Sequence, residues 1–338
     1  MVKEPRGYFS TILYCLREGT FKGVLLQTTI TLILLLNTGI KKCKYILLMF
    51  SQRKHEREII VKINNRYSMY LNFDDKGICP DLMVNKTREV FSTAHFQKII
   101  TEDMTIIDIG ANIGYYALLE SQLAPKGHVY AIEPVPKNYT LLTKNIALNS
   151  GKNLSTYNVA IGNVDGYLDM YIYDKCNWSS FTRIPGGNVI DTIRVPIFTL
   201  DTFIESHLTR NPHFIRMDVE GFEYEIVMGS LKTLRAAGPL VLCIEMHPHL
   251  MSGEKVTAIM TIMKENGFSV HAIFNEIDVS ELNYLSLCNE LQSILHLPAY
   301  GYIGNTFSSL EQIMDQGEGA IVFFEKSNQP ESNAGIDF

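Results

Sequence analysis

A chain of 338 residues with 46% hydrophobic side chains has material for a large buried core, and α/β folds of well over ~200 residues commonly share one such core. Its formal charge of −6 excludes the basic footprint of a nucleic-acid binder. Cys15, Cys43, Cys79, Cys176, Cys243 and Cys288 form no C-x-x-C pair and no regular spacing, which excludes a disulfide framework or a cysteine zinc site and fits a reducing, cytoplasmic setting.

The net charge conceals an asymmetry. Residues 1–58 carry ten Lys or Arg against four acids, so this arm is +6 and the rest of the chain −12. Within the arm, Gly23 to Ile40 has no charged residue over 18 positions; Lys41, Lys42 and Lys44 follow, then a second apolar run, Tyr45 to Phe50. As a helix the first run spans ~27 Å, short of a hydrocarbon core of ~30 Å, and Gln27, Thr28, Thr29, Thr31 and Asn37 weaken it further. Three expectations stay open: a membrane span, an interfacial anchor gripping anionic lipid through its lysines, or helices packed on the body. A cleaved leader is disfavoured, because the run starts late and no small-residue cleavage site follows. If the run spans, the basic residues after it favour a cytoplasmic body.

Residues 59–326 read as one α/β domain with an N-terminal β extension, and 327–338 as a polar tail. Ile59 to Phe73 alternates apolar and polar residues around Asn64-Asn65, a hairpin expected to cover one edge of a sheet. A helix over Arg88 to Ile100 leads to the first core strand. That strand, Thr105 to Ile109, is apolar but for Asp108 and runs into Gly110-Ala111-Asn112-Ile113-Gly114, a turn that opens a helix. Two glycines here do not make the G-x-G-x-x-G turn of a dinucleotide site, so a pyrophosphate is disfavoured. Asp108 repels phosphate but suits a cationic ligand; S-adenosylmethionine, with an amino-acid end and a sulfonium but no phosphate, fits that chemistry. His128 to Ile132 is a second such strand, ending at Glu133, which suits ribose hydroxyls. Pro134 precedes a helix over Lys137 to Asn149.

A third strand is expected over Asn153 to Ala160, then an added β element from Gly162 to Tyr173 with Asp165-Gly166 as its turn, and a strand over Arg194 to Phe198. Core strands over His213 to Asp218 and Leu240 to Met246 flank a helix over Phe222 to Leu234. Ser269 to Phe274 and Ala320 to Glu325 complete a mostly parallel sheet with helices on both faces. The stretch from Asn275 to Thr306, with Tyr284, Tyr300 and Tyr302, is long for a simple connection, so it is a candidate lid or an extra helix.

Chemistry is expected outside the carboxyl ends of the parallel strands. Asp218 and Glu220, two apart, follow one strand, with Glu223 in the first turn of the next helix; Glu245 and His247, two apart, end another, closed by Pro248. Two roles stay open. His247 removes a proton from an acceptor hydroxyl, with Asp218 and Glu245 orienting it, or Asp218, Glu245 and His247 hold a divalent cation such as Mg²⁺ that acidifies the hydroxyl.

Several of these pieces together resemble the FkbM-type S-adenosylmethionine-dependent methyltransferases. They are Asp75-Lys76-Gly77-Ile78, Asp108 to Tyr116, Ala131-Ile132-Glu133-Pro134, Asn158 to Gly162, Thr199-Leu200-Asp201, Met217 to Glu223 with its Asp-Val-Glu-Gly-x-Glu core, and Ile244 to Pro248. The resemblance covers roughly residues 60–250 and implies a class I, Rossmann-like methyltransferase fold acting on hydroxyls of sugars, glycolipids or related natural products. It implies cofactor contacts at Asp108, Gly110, Asn112, Gly114, Glu133, Pro134 and Ala160. Arg216 departs from the family, which more often has lysine there, and is given no catalytic role. Lys175 to Phe181 resembles the family's Asn/Ser-rich loop, which implies Trp178, Ser179 and Ser180 toward a small-molecule or glycan acceptor, with a place in the core equally open for Trp178; Glu220 is a further candidate acceptor contact. The alternatives are a nicotinamide-dependent oxidoreductase and a membrane-tethered binding protein without turnover.

Overall fold

The computed structural model describes residues 58–173, 178–184, 186–274, 302–315 and 319–327. The arm, except Glu58, and residues 275–301 of the candidate lid over Asn275 to Thr306 lie outside the described residues, as does the tail beyond Ser327. Among the described residues no helix is long and apolar enough to cross a membrane.

The described residues open with a hairpin, β1 (Glu58–Ile63) and β2 (Tyr67–Asn72), turned by Asn64 and Asn65 at φ 48° and 55°. Helices α1 (Cys79–Asn85) and α2 (Val90–Ile99) lead to β3 (Thr105–Ile109), α3 (Tyr115–Leu123), β4 (His128–Ile132), α4 (Pro136–Leu148) and β5 (Leu154–Tyr157). A second unit follows: β6 (Ala160–Gly162), β7 (Gly166–Tyr173) and β8 (Val189–Thr199). The chain then resumes with α5 (Leu200–His207), β9 (Phe214–Met217), α6 (Glu223–Met228), α7 (Leu231–Ala236), β10 (Leu240–Met246), α8 (Gly253–Glu265), β11 (Ser269–Phe274), β12 (Tyr302–Gly304), α9 (Phe307–Asp315) and β13 (Ala320–Lys326).

The main sheet runs β5-β4-β3-β9-β10-β13-β11-β12. Strands β5, β4, β3, β9 and β10 are parallel, while β13 enters antiparallel between β10 and β11. Period-two alternation sends Ile106, Val129, Phe214 and Phe323 into one apolar layer and Ile107, Tyr130, Ile215 and Phe324 into the other. Both faces are therefore covered, as apolar parallel strands require. The strand order reverses between β3 and β9, and that switch point is where such sheets open a ligand crevice.

Three local expectations are corrected. The hairpin covers helix α4 rather than a sheet edge: Asn145 and Asn149, one helical turn apart, accept the amides of Tyr70 (2.7 Å) and Ser68 (2.9 Å) and satisfy β2 as a neighbouring strand would. The third strand stops at Tyr157, and Ala160 begins the separate three-stranded sheet β6-β8-β7. The helix expected over Phe222 to Leu234 breaks into α6 and α7 at Gly229, where a Cβ would lie 1.9 Å from the Gly162 carbonyl oxygen, so β6 passes too close for any side chain.

Candidate active site

At the switch point lies a cleft of about 1010 Å³, counting its open mouth, walled by the ends of β3, β4, β9 and β10, by Ile78, Arg88 and Glu89 from the N-terminal side, and by Met170, Ser179 and Phe181 from the added β element. Its floor depends on Gly110. This residue holds φ 84°, and a Cβ there would stand 2.0 Å from the Asp218 carbonyl oxygen, so the β3 turn and the end of β9 meet only because the side chain is missing.

The turn itself explains which ligand the cleft suits. Gly110 and Ala111 both donate their amides to the Ile132 carbonyl at 3.0 Å, Gly114 donates to Ala111, and Asn112 donates to Glu133 Oε2 at 2.8 Å. Those amides are spent within the protein, so they form no nest for a pyrophosphate. What the turn offers instead is the Glu133 carboxylate, buried at the cleft wall, with Oε1 accepting the Val135 amide at 2.9 Å and further lone pairs on both oxygens. Burial pushes its pKa up to about 7 against the pull of the Val135 and Asn112 amides. Asn112 Oδ1 and Ser179 Oγ, on residues lining the same cleft, are buried without a hydrogen-bond partner. An adenosine ribose, two hydroxyl donors and no charge, matches this set.

Asp108 does not line the cleft. It is fully buried, and its Oδ1 accepts from Arg216 Nη1 at 3.1 Å, while Arg216 Nη2 reaches Asp218 Oδ2 at 2.8 Å. The guanidinium lies 4.1 Å from the Tyr116 ring centre. The two acids respond differently: burial pushes Asp108 up despite Arg216, whereas for Asp218 the charges of Arg216, His247 and Arg88 outweigh burial and hold it below the usual range. Asp108 thus acts on the cleft through Arg216 and not as the expected cofactor ligand. Gly114 also stands back from the cleft, facing Leu142 of α4, whereas Gly110, Asn112, Pro134 and Ala160 line it.

The second constellation is tighter than strand spacing alone implies. Strand β9 ends at Met217, and left-handed residues Glu220 (φ 54°) and Gly221 (φ 91°) fold the chain back, so Asp218 and Glu220 come together with His247. His247 Nδ1 bonds Glu223 Oε1 at 2.9 Å; its Nε2 stands 3.5 Å from Glu245 Oε1 and 3.8 Å from Glu220 Oε2. Burial alone lowers an imidazole pKa, but the bonds to Glu223 and Glu245 win and push His247 up to about 12. Set among carboxylates and buried behind the cleft wall, the ring is favoured in its imidazolium form rather than as the free base expected from sequence. Glu220, Glu245 and Asp218 do line the cleft. Burial, then the Asp218 charge, raises Glu220 to about 8 and Glu245 to about 7. The candidate cation ligands are correspondingly Asp218, Glu220 and His247, whose donor atoms all lie within 4.8 Å of one another, rather than a set with Glu245.

On the acceptor side, Ser179 lines the cleft, but Ser180 is turned inward, its Oγ donating to the Glu220 carbonyl at 2.8 Å. Trp178 is half-buried outside the cleft wall; the aromatic surface there belongs to Phe181, packed on Phe222 at 4.6 Å. Arg88 and Glu89 went unread in the sequence. They precede a helix with no motif of their own, and only the fold carries them across to Tyr115 and Tyr116, whose hydroxyls bond the Arg88 carbonyl (3.1 Å) and Glu89 Oε2 (2.6 Å).

A doubly wound parallel sheet with an antiparallel strand set into one half, and acids at the strand ends lining the crevice at its switch point, is the Rossmann-like arrangement of the class I methyltransferase fold. Residues 108–270 of this chain match the family model of the methyltransferase FkbM domain. Curated relatives include Methyltransferase 1 of Beauveria bassiana, 22% identical over 191 residues, covering 50% of this chain and 74% of that protein. Hexuronic acid methyltransferase AglP of Haloferax volcanii is 27% identical over 147 residues, covering 43% of this chain and 57% of that protein. Among solved structures, the methyltransferase FkbM of Methylobacillus flagellatus is similar at 17% identity and a TM-score of 0.35, over 48% of this chain and 38% of that one. The match thus spans less than two thirds of the Haloferax and Methylobacillus proteins.

Proposed function

We propose that the cleft binds S-adenosylmethionine and methylates a hydroxyl oxygen of a sugar, glycolipid or related small molecule. The observation that carries this reading is the Glu133 carboxylate at the wall of a cleft where the Gly110, Ala111, Asn112 and Gly114 amides are already bonded within the protein: it favours a ribose without phosphates and disfavours a nicotinamide dinucleotide. The methyl donor, when bound, supplies an electrophilic carbon on a sulfonium; the chain's own residues do the rest. Glu133 holds the ribose, and Gly110, Asn112, Pro134 and Ala160 shape the pocket around the nucleoside. Glu220 accepts the proton that the acceptor hydroxyl loses. Glu245 is less suited to that role because it accepts from His247, while the imidazolium, held by Glu223, keeps the carboxylates in place. The arm over residues 1–58, basic and apolar, would bring the catalytic body to an anionic membrane surface on the cytoplasmic side.

The ribose assignment has a pH signature. Hydroxyl donors favour the ionised form of Glu133, so ligand affinity is full above its pKa of about 7 and falls as pH drops through it, by about tenfold between roughly pH 8 and pH 6. Calorimetric titration with S-adenosylhomocysteine is expected to follow that curve, and Glu133→Gln to bind more weakly with a flat profile. A wild-type affinity indifferent to pH, or preference for NAD, removes the assignment.

A second reading rests on the cluster of Asp218, Glu220 and His247. In it His247 is neutral, with Nδ1 donating to Glu223, an arrangement that commonly orients metal-bound imidazoles. Two carboxylates and one imidazole would then hold a divalent cation that acidifies the hydroxyl. Chelator treatment separates the two: turnover unchanged by EDTA is expected for the carboxylate base, and loss restored by Mg²⁺ or Mn²⁺ favours the cation.

A further inference from the structure

The charged groups lining the cleft are lopsided. Among the described residues, Glu89, Glu133, Asp218, Glu220 and Glu245 face two cations, Arg88 and Arg216. Arg216 has its guanidinium committed to Asp108 and Asp218, with the Tyr116 ring beside it. Arg88 differs. Among the described residues its side chain has one hydrogen-bonded partner, Glu89 Oε1 at 2.9 Å through Nη2, and it is 26% exposed at the cleft wall. A guanidinium carries five N–H donors, so most remain to be used.

Its backbone, by contrast, is fixed. The Arg88 amide donates to the Tyr115 hydroxyl at 2.9 Å, and its carbonyl accepts from Tyr115 (3.1 Å) and Thr93 (3.0 Å). Tyr115 opens the helix that follows the Gly110 to Gly114 turn, so Arg88 is tied to the element that shapes the cofactor pocket. A pre-positioned guanidinium with unused donors, in a cleft where the other arginine is committed, is built for a planar, bidentate anion.

Resting on the proposed methyltransferase reading, we infer that Arg88 is the carboxylate-reading residue of this cleft. A carboxylate there has two sources, the amino-acid end of the methyl donor or an acidic sugar acceptor. In either case Arg88 sets which ligands the cleft accepts, by pairing their carboxylate through the N–H donors that Glu89 leaves unused.

The test compares wild type with Arg88→Gln and Arg88→Lys by calorimetry, using S-adenosylhomocysteine and 5′-methylthioadenosine, which share the nucleoside but differ in the amino-acid end. D-glucuronate and D-glucose are titrated into the complex with S-adenosylhomocysteine as acceptor probes. If the donor supplies the carboxylate, Arg88→Gln weakens S-adenosylhomocysteine by roughly ten- to a hundredfold and leaves 5′-methylthioadenosine unchanged, with partial recovery in Arg88→Lys. If the acceptor supplies it, S-adenosylhomocysteine binding is unchanged, and the preference of wild type for glucuronate over glucose is lost in the variant. Equal weakening of both nucleosides identifies a purely structural Arg88 and overturns the inference, as does a variant indistinguishable from wild type with all four probes. Failure of wild type to bind either nucleoside overturns the methyl-donor reading itself, and this inference with it.

Discussion

Arg216→Met is expected to destabilise the fold by about 3–5 kcal/mol, read as a shift in the denaturant midpoint. The reason lies in what methionine leaves behind. Asp108 is fully buried, and the guanidinium that pairs with it also holds Asp218. Removing that cation strands one carboxylate with no route to water and another at the cleft wall. Glu120 makes matters worse: it is also fully buried, neither of its carboxylate oxygens has a hydrogen-bond partner, and burial, followed by the Asp108 charge, pushes its pKa well up. A second buried carboxylate left without its counter-charge would add to that burden. Arg216→Lys keeps a charge but cannot bridge both acids in one plane, so it should recover only part of the loss. A cost near that of a surface substitution, ~0.5 kcal/mol or less, would show that Asp108 is carried neutral and the bridge contributes nothing.

Glu220→Gln should lower turnover by roughly 10²–10⁴-fold, the range typical of a positioned proton acceptor, while S-adenosylhomocysteine still binds through the Glu133 side of the cleft. The amide keeps the shape of the side chain, and its Ser180 anchor is to the Glu220 backbone carbonyl, which the substitution leaves intact. Glu245→Gln should cost less, because that carboxylate already accepts from His247. His247→Ala is expected to impair turnover indirectly, by releasing Glu223 and letting the carboxylates repel one another. Equal losses in Glu220→Gln and His247→Ala with Glu245→Gln little affected would point to a cation held by Asp218, Glu220 and His247 instead of one base.

How much of this was legible in the chain varies with the kind of signal. The strand-turn-helix around Asp108 and the strand ending at Glu133 were readable because apolar β-branched runs, glycine and proline act locally. Asp108 was misread for the same reason: the position before the glycine says where a carboxylate stands, and only the pairing of β3 with β9, which sets Asp108 opposite Arg216, says what it meets. His247 shows the same limit. Its spacing from Glu245 was plain, but its protonation is fixed by Glu223, 24 positions away, through a bond no periodicity predicts. The hairpin was placed correctly in the chain and wrongly in space, since its partner is a pair of asparagines on α4 rather than a sheet edge. Arg88 and Glu89 carried no local signal at all.

Transfer of a methyl group to a hydroxyl is read by incubating the full chain with methyl-labelled S-adenosylmethionine and a total glycan and glycolipid extract, then treating the product with mild alkali. Label that enters the extract, resists alkali and falls by orders of magnitude with Glu220→Gln is the expected result. Label released by alkali identifies a carboxylate ester, and no transfer at all leaves a binding protein on a methyltransferase fold; either outcome contradicts the account.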